Sequence, residues 1–317
     1  MTKADFYLHD LASKFKKIDP TKYYLAYSGG KDSGMLFWFL RTWLLTVKDE
    51  KGNLCYPDMV EYSKIPAVSV NTGMEWPEIE ERMKKNADVV LTPKLLPHQV
   101  IEKVGTPCFS KNADDIIGRY QRGSRSESVM MYVDGTRNGG NTMFCLNNQA
   151  KEMLKANQLP RISNQCCNEL KKKPVHEYEQ ETGLHSIMGI MASESMMRKS
   201  RYKSCFTKDL KFIPLWDCTE ETMNEIYQQY NIPLPKIYKY VNQTGCAGCP
   251  YGIGLGHTAI ELQLMTPAKR RYVERCFGKA YSIRLPYYKS IPINSPIETL
   301  IQTSIYDESP KMGEEKE

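Results

Sequence analysis

Two groups of residues in the chain have the types and spacing for chemistry. The first is Ser28-Gly29-Gly30-Lys31-Asp32-Ser33, placed where a short apolar segment, Tyr23 to Tyr27, gives way to the proline-free apolar run Ser33 to Val47. A strand, a glycine turn and a helix in that order present several backbone N–H groups at a helix N-terminus, where a phosphate is favoured. Gly29 and Gly30 allow close approach of the backbone, Ser28 and Ser33 add hydroxyls, and Lys31 adds positive charge. Asp32 is the unusual member, because a carboxylate beside phosphates is useful mainly when it holds Mg²⁺ or orients a group. The spacing is neither that of a Walker A loop nor Gly-x-Gly-x-x-Gly. A purely structural turn is the alternative.

The second group is made of cysteines. Cys166 and Cys167 are adjacent, and Cys246 and Cys249 form a Cys-x-x-Cys in "GCAGCP". Two such pairs supply four soft thiolates, which suit Zn²⁺ or an iron–sulfur cluster. A Cys-x-x-Cys turn directs both sulfurs the same way, whereas the adjacent pair needs a local bend to do so. Cys55, Cys108, Cys145, Cys205, Cys218 and Cys276 are scattered, and most read as small buried apolar residues, with Cys145, at the end of the 107–145 segment, and Cys205, after the Arg198 motif, as the exceptions to expect. Lys171, Lys172 and Lys173 follow the adjacent pair, either as a solvated face or as charge compensation for a cluster or phosphate. Arg119, Arg122, Arg125 and Arg137 either contact a phosphate backbone or decorate a loop. The histidines show no ligand spacing, and no Ser/His/Asp arrangement is readable.

The elements that must position these groups follow from periodicity. Residues 3–19 read as an amphipathic helix, with Phe6, Leu8, Leu11, Phe15 and Ile18 near helical spacing. Strands are expected at Tyr23 to Tyr27, Ile65 to Val70, Ala87 to Leu91 and His185 to Ile190, and helices at Ser33 to Val47, Trp76 to Asn86, Asn148 to Gln158, Cys167 to Glu181, Glu220 to Tyr230 and Met265 to Phe277. Strands alternating with helices imply an α/β fold, with a parallel sheet of about five strands and helices on both faces. Residues 107–145, rich in Gly, Ser, Asn and Arg, read as an insertion or mobile loop. The tail from Asp307 onward is charged and reads as disordered.

Composition bounds the rest. Lys and Arg exceed Asp and Glu by 43 to 37, a mild excess that permits an anionic partner without demanding one. Residues 1–20 lack the continuous apolar segment of a signal peptide, and no run approaches the roughly 18 apolar residues of a membrane span. A cytoplasmic protein with no membrane partner is therefore expected. In that compartment ten cysteines point to metal or redox chemistry before a disulfide framework.

The run SGGKDS after an N-terminal strand resembles the PP-loop of the ATP pyrophosphatase superfamily. Three further stretches resemble its phosphoadenosine-phosphosulfate reductase-like branch, in the order that branch has them. "VSVNTGMEWPE" keeps Thr72, Gly73 and Glu75 of a strand-end motif, with Asn71 in place of the usual Asp. "GIMASESMMR" keeps Glu194, Ser195 and Arg198, with Met191 where an Arg is usual. "FIPLWDCTEETMNEIYQQYNIPLPKIY" resembles the segment leading from a Pro-Leu strand through a helix to Leu-Pro. The likeness covers roughly residues 20–252, and the order Cys166-Cys167, then Cys246-x-x-Cys249 is similar to the [4Fe–4S] site of the adenylylsulfate-reducing and DNA-phosphorothioation relatives. Two departures matter: the loop is complete where sulfate reducers have a degenerate one, and their C-terminal Glu-Cys-Gly-x-His-type motif is missing.

The resemblance implies an adenine nucleotide α-hydrolase-like domain over 1–252, carrying the insertion at about 107–145, followed by a C-terminal helical extension and charged tail over 253–317. It implies an ATP pyrophosphatase that adenylates a substrate, releases pyrophosphate and supports iron–sulfur-dependent sulfur transfer, as in DNA-phosphorothioation and tRNA-thiolation sulfurtransferases. Lys31, Asp32 and Arg198 would be catalytic. ATP and Mg²⁺ would be bound by Ser28, Gly29, Gly30, Lys31, Asp32, Ser33, Thr72, Gly73, Glu75, Glu194 and Ser195. Cys166, Cys167, Cys246 and Cys249 would ligate the [4Fe–4S] cluster, which either accepts sulfide or is structural. Implied partners are ATP, a sulfur donor (sulfide or a cysteine desulfurase), a nucleic acid or nucleobase as substrate, and a second copy of the chain in a homodimer. The alternatives are a sulfonucleotide reductase and a nucleotide- and redox-sensing regulatory subunit.

Overall fold

The structure, a computed structural model, describes residues 2–137, 140–141 and 144–292. The chain forms two compact units that alternate along the sequence. Met1–Asn71, Glu75–Pro93 and Lys173–Pro235 make the first, and Thr72–Met74, Lys94–Lys172 and Lys236–Glu317 make the second.

The first unit is built on a parallel sheet. Strand β1 (Tyr23–Ala26) lies between β2 (Ala67–Val70) and the His185–Ile187 strand, and β3 (Val89–Leu91) pairs with the other side of β2. Leu25 is in register with Ala67 and with Ile187, and Val68 with Val89. The sheet is α/β in class, as expected, with four strands where about five were expected. Beyond His185–Ile187 the "FIPLWD" segment contributes a single parallel bridge, Ile187 to Phe212. Pro214, which has no N–H to donate, follows two residues after that bridge.

Side chains of β1 alternate between the two faces of the sheet. Tyr23 and Leu25 join a core with Leu8, Leu11 and Phe15 of the Lys3–Phe15 helix, with Met35, Leu36 and Phe39, and with Met223 and Ile226 of the Glu220–Gln229 helix. Phe15 meets Phe212 edge-on at 5.2 Å and Phe39 at 5.4 Å. Tyr24 turns the other way. Its ring packs edge-on against Tyr178 at 5.4 Å, and its hydroxyl donates to Glu179 at 2.9 Å, both on the Lys173–Thr182 helix. Helices therefore cover this strand on both faces. The apolar run after the glycine turn is helical from Lys31 to Thr46, with a wider π-helical turn over Phe39–Trp43 that stacks those two rings 5.3 Å apart.

The second unit is largely helical. The expected loop over 107–145 is instead two helices, Lys111–Gln121 and Glu127–Asp134, followed by a short hairpin pairing Thr136–Arg137 with Gly140–Asn141. Its composition suggested a loop, but the chain there has both a cap and a core. Ser110 accepts the Ala113 N–H at 3.1 Å, and the buried Asp114 carboxylate accepts those of Cys108 and Phe109 at 2.7 and 3.0 Å. Ile116, Ile117, Val129 and Val133 pack with Leu146, Ala150, Leu154 and Ile162. The C-terminal helix runs over Pro267–Arg284, longer than expected, with Thr266 accepting the Lys269 N–H at its start. The tail from Asp307 lies outside the described residues. Among the described residues, no helix is long and apolar enough to cross a membrane.

Candidate functional site

The glycine turn begins where β1 ends. Gly29 has φ +73, a left-handed backbone, and a Cβ placed there would stand 3.0 Å from the Ile79 carbonyl oxygen and 3.2 Å from side-chain atoms of Ile79 and Met83. The position thus needs glycine for both backbone and space. Gly30 is the N-cap of the following helix and supplies no capping side chain. Ser33 braces the turn that leads into the helix. Its hydroxyl accepts the Ser28 N–H at 3.1 Å and lies 2.9 Å from the Ser28 hydroxyl. The Tyr227 hydroxyl, from the Glu220–Gln229 helix, donates to the Lys31 carbonyl at 2.6 Å and anchors the first turn. The result is an uncapped helix N-terminus with a rigid approach, suited to an anion.

Asp32 sits in that first turn. Its Oδ1 is buried and has no hydrogen-bond partner. Burial, and then Glu194, push its carboxyl up to about 6, against the pull of Lys31 and Arg198. Lys31 is mostly covered and lies 3.6 Å from Glu220. A buried oxygen with no partner is costly unless something binds it. A cation is the natural occupant, so the residues here fit Mg²⁺.

The segment Gly189 to Arg198 reaches the same turn. A Cβ on Gly189 would lie 3.0 Å from the Asp32 carbonyl carbon and 3.0 Å from the Ser33 nitrogen, so Gly189 lets this strand end lie flat against the loop. Ser195 caps the short Met196–Arg201 helix by accepting the Arg198 N–H at 3.2 Å. Arg198 is paired with Glu194, whose carboxylate also accepts the Met191 N–H at 3.3 Å. Lys31, Asp32, Glu194 and Arg198 therefore form one electrostatic group in the first unit. Glu75, in the same unit, is buried.

Thr72 and Gly73 fall in the second unit with the four cysteines. Thr72 is buried and accepts the Met74 N–H at 3.2 Å, and Lys269 donates to the Gly73 carbonyl at 3.1 Å. The Met74 carbonyl accepts the Ala247 N–H at 2.7 Å, inside the Cys-x-x-Cys turn. Gly248 in that turn has φ +70, and a Cβ there would fall 2.4 Å from Val273 and 2.7 Å from the Tyr281 hydroxyl. Its N–H donates to the buried Glu261 carboxylate at 2.8 Å, and its carbonyl accepts from Tyr281. The turn is thus held from both sides, with the Cys249 N–H closing on the Cys246 carbonyl at 3.1 Å.

None of the ten cysteines is in a disulfide. Cys166 is buried with Val100 and Leu170. The two adjacent thiols act on each other, which raises Cys166 and lowers Cys167 to about 6. Lys111, Lys171 and Lys172 add to that lowering, against burial. Cys246 and Cys249 also act on Cys166, and Cys249 is pushed up to about 12 by burial and by Cys246. The four thiols the sequence singled out thus feel one another electrostatically. As a donor set they suit a thiolate centre, with lysines present to offset its charge. Among the described residues, however, no three His, Cys, Asp or Glu side chains stand in metal-holding geometry.

Two contributors to the loop were not assigned a role from sequence. Gly189 was visible only as the first residue of a motif, and Tyr227 only as one position of the expected Glu220 to Tyr230 helix. No protein-family model and no curated protein matches the chain, so what the site does rests on its own geometry and chemistry.

Proposed function

We propose that the chain is an ATP pyrophosphatase of the PP-loop type, which adenylates a substrate and supports sulfur transfer. One observation carries this reading. The uncapped helix N-terminus at Gly30 holds a buried carboxylate oxygen, Asp32 Oδ1, with no partner of its own. An anion site with an orphaned carboxylate inside it is a place for a metal-bound polyphosphate.

In this reading the loop N–H groups and Lys31 carry the negative charge that grows on departing pyrophosphate. Asp32 would hold Mg²⁺, which when bound neutralises phosphate charge. Arg198, oriented by Glu194, would stabilise the phosphates or the activated oxygen. Adenylation turns a poor oxygen leaving group into AMP, which a sulfur nucleophile can displace. Cys166, Cys167, Cys246 and Cys249 would hold the [4Fe–4S] cluster, which when bound supplies either a sulfide-binding iron or a structural clamp.

The test is pyrophosphate release from ATP by anaerobically purified protein, with iron and sulfide measured on the same sample. Turnover that needs Mg²⁺ and is lost in Lys31→Ala is expected. Sulfite release from adenylylsulfate without ATP turnover would instead establish the reductase alternative. Nucleotide binding with neither reaction would establish the regulatory one.

A further inference from the structure

The second unit contains a cavity of about 410 Å³ beside the Lys111–Gln121 helix. Its wall carries three arginines, Arg122, Arg125 and Arg161, and no carboxylate. All three are exposed. A cavity of this size lies within the range of about 300–1,000 Å³ usual for small-molecule sites.

The arginines are held in different ways. The Arg125 guanidinium lies 3.7 Å over the Tyr120 ring and donates to the carbonyls of Tyr120 and Ser124, both at 2.9 Å. It is thereby fixed as one layer of a flat stack. Arg122 lies back against the helix because Gly118 leaves room, since a Cβ at Gly118 would stand 3.2 Å from its Nη1. The same Cβ would stand 2.8 Å from the Ile162 carbonyl oxygen, which makes glycine necessary there. Asn157, also in the wall, keeps a left-handed backbone at φ 53. That conformation is uncommon outside glycine, and Asn tolerates it better than most residues.

We propose that this cavity binds a phosphate bearing a nucleobase, either a free nucleotide or a nucleotide within a single strand. Arg122 and Arg161 take the phosphate, because planar guanidinium forks match phosphate oxygens. The Arg125–Tyr120 stack takes the base, because bases stack on aromatic rings and on guanidinium planes. A carboxylate ligand would use the forks but leave the stack idle. The site uses none of the residues of the Ser28–Ser33 loop and stands independently of the proposed function.

The experiment is fluorescence anisotropy with the full chain, using fluorescein-labelled single-stranded DNA and RNA 12-mers as probes and AMP or inorganic phosphate as competitors. The variants are Arg122→Gln/Arg161→Gln and Lys31→Ala. Binding should survive in Lys31→Ala, which separates this site from the loop, and should weaken about ten-fold or more in the arginine variant. If the ligand is a strand with two phosphates engaged, the slope of log K against log salt should fall in size by roughly 1.4. AMP competing as well as unlabelled strand makes the free nucleotide the ligand, and failure of AMP to compete makes it the strand. Phenylglyoxal modification of Arg122 in the wild type, mapped by peptide mass, gives a second readout independent of how the variant folds. Protection of Arg122 by the ligand is expected. Unchanged affinity in the arginine variant, phosphate competing as well as AMP, no binding by any probe, or no protection of Arg122 would each overturn the proposal.

Discussion

Replacing Asp32 by Asn should stabilise the metal-free, nucleotide-free protein, and by an amount that grows with pH. The Asp32 carboxyl is buried beside Glu194, with one oxygen unpartnered, and titrates at about 6 instead of 3.8. The folded chain therefore holds this proton more tightly than the unfolded chain does. Between those two values the native state binds more protons, so stability falls as pH rises through the window, and the loss is complete above about 6. At about 1.36 kcal/mol per pH unit, the ionised carboxylate costs about 3 kcal/mol at about pH 8, and about 1 kcal/mol at about pH 4.5. Asn cannot ionise and fills the same space, while every other group titrates in both chains. Urea unfolding of the two proteins at those two pH values should show Asp32→Asn the more stable, with a gap that widens by about 2 kcal/mol toward the higher pH. The same substitution should abolish Mg²⁺-dependent pyrophosphate release. It should also remove any stabilisation that Mg²⁺ and ATP together confer on the wild type. A gap that does not change with pH, or a wild type more stable than the variant at pH 8, would refute the claim that Asp32 is a buried charge only partly offset by Lys31 and Arg198 and awaiting a cation.

Gly189→Ala should disturb the loop through backbone contact, because the new Cβ meets the Asp32 carbonyl carbon and the Ser33 nitrogen at 3.0 Å. Thermal melts should show a loss of roughly 1–3 kcal/mol, with turnover reduced by more than the melt alone explains. Gly248→Ala adds a side chain at φ +70 and 2.4 Å from Val273. It should cost roughly 1–3 kcal/mol and lower the iron retained after anaerobic purification. Serine at any one of Cys166, Cys167, Cys246 or Cys249 should lower iron per chain, measured colorimetrically, whereas serine at Cys55 or Cys276 should leave it unchanged. Equal iron in all six variants would dismiss the cluster.

Much of the sheet was legible because its signals are local. β1 and β2 are short apolar runs closed by turn residues, and the helix after Gly30 has no proline to interrupt it. The Pro77–Asn86 helix starts at its proline, where the missing N–H costs nothing. The misreading of 107–145 has a physical cause as well. Its glycines, serines and arginines dominate the composition, but the four apolar positions at 116, 117, 129 and 133 are what fold it, by packing on partners as distant in sequence as Ala280. The fifth strand failed for a different reason. Phe212 reaches the sheet edge and exchanges hydrogen bonds with Ser186 and Met188 at 2.9 Å, but pairing does not extend beyond that single bridge.

The candidate site was legible in its donors but not in its supports. Ser28 to Ser33, Glu194, Ser195 and Arg198 carry functional groups, so residue type alone draws attention to them. Gly189 and Tyr227 matter through what surrounds them: one is necessary because a backbone passes within 3.0 Å, the other because its hydroxyl reaches a carbonyl 196 positions earlier in the chain. Neither fact has a local signature. The same limit explains the Cys-x-x-Cys turn, whose motif is plain while Glu261 and Tyr281, which hold Gly248 from the two sides, lie 13 and 33 residues away. Thr72 and Gly73 show a further effect. A motif read as one contiguous strand-end signature is divided, with Asn71 and Glu75 in the sheet unit and Thr72 to Met74 in the unit that carries the cysteines. The hydrogen bond from Ala247 to Met74, at 2.7 Å, ties that three-residue piece to the Cys-x-x-Cys turn.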